Sequence, residues 1–250
     1  FNISTAAAFV AAGAGITVAK HGNKAVSSRS GSADVLQALG VNIDAEKSNV
    51  EQCLRQAGIG FLFAPLMHPA MKHVAGVRQT LGFRTIFNLL GPLTNPAGAH
   101  AQVIGVYARK WTSRLAGVLK NLGTRHAFVV YGHDGLDEIT MTSFTHVSEL
   151  KNGNVRNYKL EPEQFGFKRC SLADLKGGTP EENADMIRCI LAGERGPKQD
   201  AVLLNAAAAI TAADKAVSME AGLEAARQSI DSGAALQKLK DLCRISNSQG

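Results

Sequence analysis

The chain alternates short apolar runs with stretches whose apolar residues recur at helical spacing. Ile16 to Ala19 reads as a buried strand, and Ser32 to Leu39 as a helix stopped by Gly40. Ser48 is placed to cap a helix running to Ala57, with Glu51 completing a capping box. Gly60 to Ala64 reads as a second buried strand ended by Pro65, and His68 to Leu81 as a helix with Pro69 in its first turn and Gly82 as its stop. Arg84 to Leu90 leads into a turn-rich Gly91–Pro96. Gln102 to Val106 is a strand, and Arg109 to Leu122 an amphipathic helix with a stripe of Leu115, Val118, Leu119 and Leu122. His126 to Tyr131 is a further strand. At the start, Ser4 or Thr5 is placed to cap a helix over Ala6 to Ala12.

After Asp134 the pattern changes. Thr145 to Leu150 and Val155 to Leu160 flank Asn152-Gly153-Asn154 and predict a hairpin. Asn183 to Leu191 and Ala201 to Ala213 predict helices, the second apolar on nearly every face and therefore buried. Met219, Leu223, Ala226 and Ile230 mark one more helical stripe, and Leu236, Leu239 and Cys243 another; Ser246 to Gly250 reads as a frayed tail. The whole is an α/β pattern with a mostly parallel central sheet flanked by helices.

Composition narrows the function classes. The chain has 250 residues, 45% hydrophobic and 19% charged, enough to bury a core. No apolar run is long enough to span a membrane. The net charge of +6 suits an anionic ligand; the cations are scattered and aromatics are only 6%, so nucleic acid is not the expected partner. Cys53, Cys170, Cys189 and Cys243 form no CxxC pair, which argues against a zinc site or a disulfide framework and fits the reducing cytoplasm. His68 and His73 lack the HExxH pattern and read as surface or core histidines.

Between the first strand and its helix lies Lys20-His21-Gly22-Asn23-Lys24-Ala25-Val26-Ser27-Ser28-Arg29-Ser30-Gly31-Ser32. A loop so rich in cations, hydroxyls and glycine, at a strand-to-helix junction, is an anion-binding arrangement in open α/β folds; the plainer reading is a polar connection. A second candidate is His133-Asp134-Gly135-Leu136-Asp137-Glu138, where adjacent carboxylates follow a strand end. Hard divalent cations take one or two carboxylates plus substrate phosphates, although Asp-Gly is also an ordinary turn signal, and the residues alone leave both readings open. Arg78 reads as a surface arginine near a helix C-terminus, yet its fork also suits a carboxylate ligand. Gly91 allows close approach of a ligand to the backbone, or serves a structural turn.

These segments together resemble the anthranilate phosphoribosyltransferase family. The resemblance lies in Asn2-Ile3-Ser4-Thr5, Lys20 through Ser28 with Ser32, His68 to Lys72, Arg78, Arg84 through Pro96, Asp134 through Glu138, and the Asp200 to Ala206 segment with its Leu203-Leu204-Asn205-Ala206-Ala207. Lys-His-Gly-Asn and Asn-Leu-Leu-Gly-Pro-Leu-Thr-Asn-Pro carry most of its specificity. It implies transfer of the phosphoribosyl group from phosphoribosyl pyrophosphate to anthranilate, in tryptophan biosynthesis.

The resemblance also implies roles. Asn2, Ile3, Ser4, Thr5, Lys20, His21, Gly22, Asn23, Lys24, Ala25, Val26, Ser27, Ser28 and Ser32 would cradle phosphoribosyl pyrophosphate. Ser4, Asp137 and Glu138 would hold Mg²⁺. Asn23 and Arg78 would contact anthranilate, with His21, Gly91 and Pro92 near it, and Lys20, Arg78, Asp137 and Glu138 would carry the catalytic load. The implied architecture places residues 1–250 in the α/β domain of the nucleoside phosphorylase and phosphoribosyltransferase type, with helices of about 48–81 contributing to a small helical domain. A homodimer formed through that domain and association with anthranilate synthase follow from the same resemblance. The family's Gly-Thr-Gly-Gly-Asp loop and the first helices of the small domain precede the point where this chain starts, so the chain reads as cut from something longer and is expected to bind substrate poorly by itself. Lys24 stands where the family more often has Arg. Two alternatives compete: a pyrimidine nucleoside phosphorylase, and an inactive transferase-like protein that binds nucleic acid.

Overall fold

The computed structural model describes residues 1–25, 29–71, 76 and 85–248. The first part comprises α1 (Ile3–Gly13), β1 (Val18–Gly22), α2 (Ser32–Ala38), α3 (Lys47–Gln52) continued by a π-helical turn at Cys53–Ala57, β2 (Ile59–Phe63) and α4 (Ala64–Met67). There follow α5 (Phe87–Leu90), β3 (Ala101–Gly105), α6 (Lys110–Asn121), β4 (His126–Gly132), β5 (Thr145–Lys151) and β6 (Asn154–Leu160). Four helices complete the chain: α7 (Pro180–Leu191), α8 (Pro197–Ala212), α9 (Met219–Asp231) and α10 (Ala234–Ser246).

The α/β class is as expected, with helices flanking parallel and mixed pairing. Among the described residues, β1 pairs with β2 in parallel, Lys20 opposite Phe61 and His21 opposite Leu62. A four-stranded sheet runs β3-β4-β5-β6, parallel between β3 and β4 and antiparallel thereafter. The hairpin expected from Asn-Gly is present: Asn152 and Gly153 both have positive φ (49° and 79°), the backbone a two-residue turn requires to match the strand twist. β2 is buried along its whole length, which is why it reads as a continuous apolar run.

Helix α8 is buried on nearly every face, as its composition predicts, and packs against α1 and α9. Phe9 of α1 is fully buried in the same core; burying such a side chain stabilises by about 1.5–3 kcal/mol relative to leaving it exposed.

Several boundaries differ from the sequence reading, each for a local reason. Strand β1 runs on to Gly22, because pairing with β2 continues through Lys20 and His21. Pro65 does not merely stop β2; it occupies the first turn of α4, where its missing N–H costs nothing. Glu46, in extended conformation, holds the cap position of α3, and Ser48 lies inside the helix, where Glu51 pairs with Arg55. Where a helix from His68 to Leu81 is expected, the start is a 3₁₀ turn at Pro69–Met71 and Gly76 is helical; residues 72–75 and 77–81 lie outside the described residues. On α6, Leu115 and Leu119 are buried but Val118 and Leu122 are exposed, so the apolar stripe is narrower than its sequence pattern. The tail is pinned rather than frayed as far as Ser248: Ser246 Oγ accepts from Asn42 N–H at 3.0 Å, and Asn49 Nδ2 donates to the Ser248 carbonyl at 2.8 Å.

Candidate active site

The site assembles where the C-terminal end of β1, the first turn of α1 and the loop after β4 meet. Because Lys20 and His21 are consecutive strand residues, their side chains leave opposite faces of β1. Lys20 turns toward α1 and donates from Nζ to Ser4 Oγ at 3.3 Å. His21 turns toward His68, with ring centroids 5.0 Å apart at 76°, and lies near the Gly91 backbone. Burial, and then His68, pushes the His21 imidazole below its ordinary value, opposed by the Gly91 backbone. The Nε2 atoms of both histidines are buried without a partner among the described residues.

Beyond His21 the chain folds back on itself. Gly22 has no room for a side chain: a Cβ would collide with Ser32 Oγ and stand 2.9 Å from Phe61. A Cβ at Gly31 would collide with the Ala25 nitrogen. The Asn23 carbonyl accepts from Ala33 N–H at 3.1 Å and from Ser32 Oγ at 3.4 Å. One carboxylate oxygen of Asp34 accepts from both Ala25 N–H and Gly31 N–H at 2.8 Å, latching the two ends of the loop. The sequence reading missed Asp34, although a carboxylate three residues after a glycine at a helix start is the acidic half of a capping box. Asn23 and Lys24 are exposed on the loop; Val26, Ser27 and Ser28 lie outside the described residues.

At α1 the expected caps are not used. Asn2 occupies the cap position, with Thr5 and Ala6 N–H donating to its carbonyl, and no side chain caps the helix. The Asn2 side chain bridges instead: it donates to the Ser30 carbonyl at 3.2 Å and accepts from Asn183 Nδ2 at 3.0 Å. Ile3 and Thr5 are buried. Ser4 is left exposed in the first turn, beside Glu138, whose carboxylate its N–H and hydroxyl favour. The positive end of a helix favours a carboxylate there.

The loop after β4 is stitched by side chains. Asp134 accepts from Leu136 N–H at 3.1 Å and from the hydroxyls of Thr140 and Thr142. The Asp137 carbonyl lies so close to Gly105 that a Cβ there would overlap it. Asn205 of α8 accepts from Ile139 N–H at 3.0 Å and donates to the Ile139 carbonyl at 2.9 Å. Between these ties Asp137 is exposed and Glu138 half-buried. Burial first, then the Asp137 charge, pushes the Glu138 carboxyl up to about 7, against the pull of Lys20 and of the Ser4 hydrogen bonds. Burial pushes the Lys20 ammonium down, and Glu138 opposes that shift. No ion pair joins Lys20 to Glu138 among the described residues, so each feels the other without neutralising it.

The Gly91–Leu93 turn lies against β1, because Asn95 Nδ2 donates to the Ala19 carbonyl at 2.9 Å. Pro92 sits in that 3₁₀ turn, and a Cβ at Gly91 would meet nothing within 4 Å, so its face is open. Arg78 lies outside the described residues. The structure thus brings together Ser4, Lys20 and Glu138, and separately His21, His68 and Gly91. Asp34, Asn95, Gly105, Asn183 and Asn205, which hold these groups, were not singled out for those roles from sequence. Among the described residues there is no cluster of three or more histidine, cysteine or acidic metal ligands. Two adjacent carboxylates and a hydroxyl are instead a hard-oxygen set that a cation would complete with substrate oxygens. No helix is long and apolar enough to cross a membrane among those residues.

Residues 1–236 match the glycosyl transferase family a/b domain. The chain is 59% identical to anthranilate phosphoribosyltransferase of Anaeromyxobacter dehalogenans strain 2CP-C, over 97% of this chain and 72% of that protein. It is 55% identical to that of Acetivibrio thermocellus, over 99% of this chain and 72% of the relative. Among solved structures, anthranilate phosphoribosyltransferase from Thermus thermophilus superposes with a TM-score of 0.93 at 48% identity, covering 99% of this chain and 74% of that one. The Saccharomyces cerevisiae enzyme in complex with PRPP and Mg superposes with a TM-score of 0.90 at 32% identity, covering 100% and 70%. With identity at this level over nearly the whole chain, and the same fold, the chain belongs to the anthranilate phosphoribosyltransferase family.

Proposed function

We propose that this chain transfers the 5-phosphoribosyl group of phosphoribosyl pyrophosphate to the amine of anthranilate, releasing pyrophosphate, as a step of tryptophan biosynthesis. The observation that carries the reading is the convergence of Lys20, Ser4 and Glu138 at one end of β1 and β4. In this reaction the bond from ribose C1 to a pyrophosphate oxygen breaks, and a bond from C1 to the anthranilate nitrogen forms. Negative charge grows on the leaving group while the ribose becomes cation-like. A fixed positive field is therefore needed more than a strong base, since the aromatic amine is already neutral near neutral pH and sheds its proton after attack.

Lys20 supplies part of that field from a position fixed by Ser4. Ser4, Asp137 and Glu138 are the residues that would hold Mg²⁺; the desolvated Glu138 beside the Asp137 charge is a pair that a cation relieves. When bound, the cation offsets charge on the departing pyrophosphate. Asn2, the Lys20–Ala25 stretch and Ser32 would line the phosphoribosyl pyrophosphate wall, with the buried Ile3 and Thr5 behind it; Val26, Ser27 and Ser28, assigned to it by resemblance, lie outside the described residues. Asn23, His21, Gly91 and Pro92 would line the anthranilate wall, and Arg78, outside the described residues, is assigned the anthranilate carboxylate so that the amine faces C1. The S. cerevisiae enzyme in complex with 4-fluoroanthranilate, 30% identical to this chain, supports an acceptor of this chemistry. The same reading makes the protein a cytoplasmic homodimer, with helices of about 48–81 contributing to its small domain and anthranilate synthase as a candidate partner.

The test is formation of phosphoribosyl-anthranilate by the full-length protein with and without Mg²⁺. Glu138→Gln should remove metal-dependent turnover, and Arg78→Ala should raise the anthranilate KM far more than that of phosphoribosyl pyrophosphate. Metal-independent transfer, or phosphorolysis of thymidine or uridine in its place, would overturn the reading.

A further inference from the structure

Asn205 stands on α8, a helix apolar on nearly every face, and is 4% exposed. Asparagine is a poorer helix former than the alanines and leucines around it, so its presence there is not explained by helix stability. Two of the three hydrogen bonds of its carboxamide go to one stretch of backbone outside the helix. Oδ1 accepts from Ile139 N–H at 3.0 Å, and Nδ2 donates to the Ile139 carbonyl at 2.9 Å. The second amide hydrogen goes to the Ala201 carbonyl one turn back, also at 2.9 Å, which locks the side chain against rotation. An amide that pairs in both directions with one residue reproduces a rung of a β-ladder, fixing both the height and the orientation of that residue.

Ile139 is fully buried and directly follows Glu138. Asp134, ahead of the acidic pair, takes Leu136 N–H on its own side and the hydroxyls of Thr140 and Thr142 beyond Ile139, and the Asp137 carbonyl rests against Gly105. Asp134 thus closes the loop around Asp137 and Glu138 from within, and Asn205 is the side chain of a separate helix that fixes the residue next to Glu138. We propose that Asn205 is a positioning residue for the Asp137–Glu138 carboxylates: it sets the backbone from which they reach a divalent cation and the pyrophosphate, and touches neither. The proposal rests on the reading of that pair as cation ligands.

The experiment titrates Mn²⁺ into the full-length protein in the presence of phosphoribosyl pyrophosphate and follows free Mn²⁺ by electron paramagnetic resonance. Asn205→Ala should weaken cation affinity by about 10–100-fold, the usual range for groups that orient metal ligands. The phosphoribosyl pyrophosphate KM should rise at limiting metal, and the anthranilate KM at saturating metal should stay unchanged. Leu203→Ala, which empties a buried position of the same helix, should lower the Tm and leave cation affinity as it was. Unchanged affinity in folded Asn205→Ala, or equal weakening by Leu203→Ala, overturns the proposal. Should Asn205→Ala not fold, Asn205→Asp makes the same test, because it keeps the size and the acceptor for Ile139 N–H but loses both donors. Glu138→Gln separates the two levels. If it retains full affinity, the cation-ligand reading falls and takes this proposal with it. If it loses affinity while the Asn205 variants do not, only the positioning role falls.

Discussion

Gly105 on β3 and Asp137 in the loop after β4 touch backbone to backbone: the space a Cβ would need at Gly105 is already filled by the Asp137 carbonyl oxygen. Gly105→Ala must therefore push the acidic loop outward or bend the end of β3. We expect a destabilisation of about 1–3 kcal/mol, the usual cost of overpacking, together with a fall in metal-dependent turnover. Gly117→Ala is the control: it lies within α6 with open space around its Cβ, and should stabilise by about 0.5–1 kcal/mol. Thermal melts of the two variants should move in opposite directions.

Lys20→Gln removes the fixed charge beside Ser4 while keeping a hydrogen-bonding side chain. By analogy with the loss of one preorganised oxyanion donor, kcat should fall by about 10²–10³-fold. The anthranilate KM should change little, since Lys20 and His21 leave opposite faces of β1. Steady-state kinetics with each substrate varied in turn decides this.

Asp34→Ala unlatches the loop by orphaning the N–H groups of Ala25 and Gly31. Hydrogen bonds to a charged acceptor contribute about 1.5–3 kcal/mol each at most. Loop disorder should appear chiefly as a higher KM for phosphoribosyl pyrophosphate. Amide exchange at Ala25 and Gly31 should quicken, while exchange in β2 stays slow.

At the opposite end of β4, His126 is fully buried between Asp214, 3.1 Å from Nδ1, and Glu149, 3.2 Å from Nε2. The hydrogen bond from His126 is the first cause holding both carboxyls, Glu149 and Asp214, below their ordinary 4.5 and 3.8. A carboxyl depressed in the folded state stabilises fully above its ordinary value, and that contribution is lost as pH falls through the folded value. The wild-type Tm should therefore fall as pH drops below about 4.5. The gap between wild type and His126→Gln should close over the same range; a gap that widens toward acid would show that the histidine does not hold these carboxyls down.

What could be read from the chain depended on whether the signal was local. The all-apolar α8 and the Asn152-Gly153 turn are written in contiguous residues, and both appear where the pattern places them. The apolar pattern of β1 stops at Ala19 because Lys20 and His21 are polar; only the backbone pairing with Phe61 and Leu62 shows that the strand continues. Glu138 was legible as a carboxylate at a strand end, but not its burial against Ser4, which lies far away in sequence. Asn205 and Asn95 act on backbone groups many residues distant, and no period in the sequence encodes that. Gly105 did carry a local hint, since glycine inside a strand often marks close backbone approach.

The split of Lys20 and His21 between the two faces of β1 makes the division of labour at this site a question of parity. Which residue meets the phosphate side and which meets the acceptor side is decided by odd or even position along the strand. Inserting one residue between Val18 and Lys20 would turn the ammonium to the Gly91 face, leave Ser4 without its cation and drive the imidazole into the place of Gly22, where a side chain has no room, while leaving the local composition almost untouched. Inserting two would restore the faces and displace both groups along the strand. The length of the Gly15-to-Lys20 connection is therefore as much a part of this active site as the side chains it delivers.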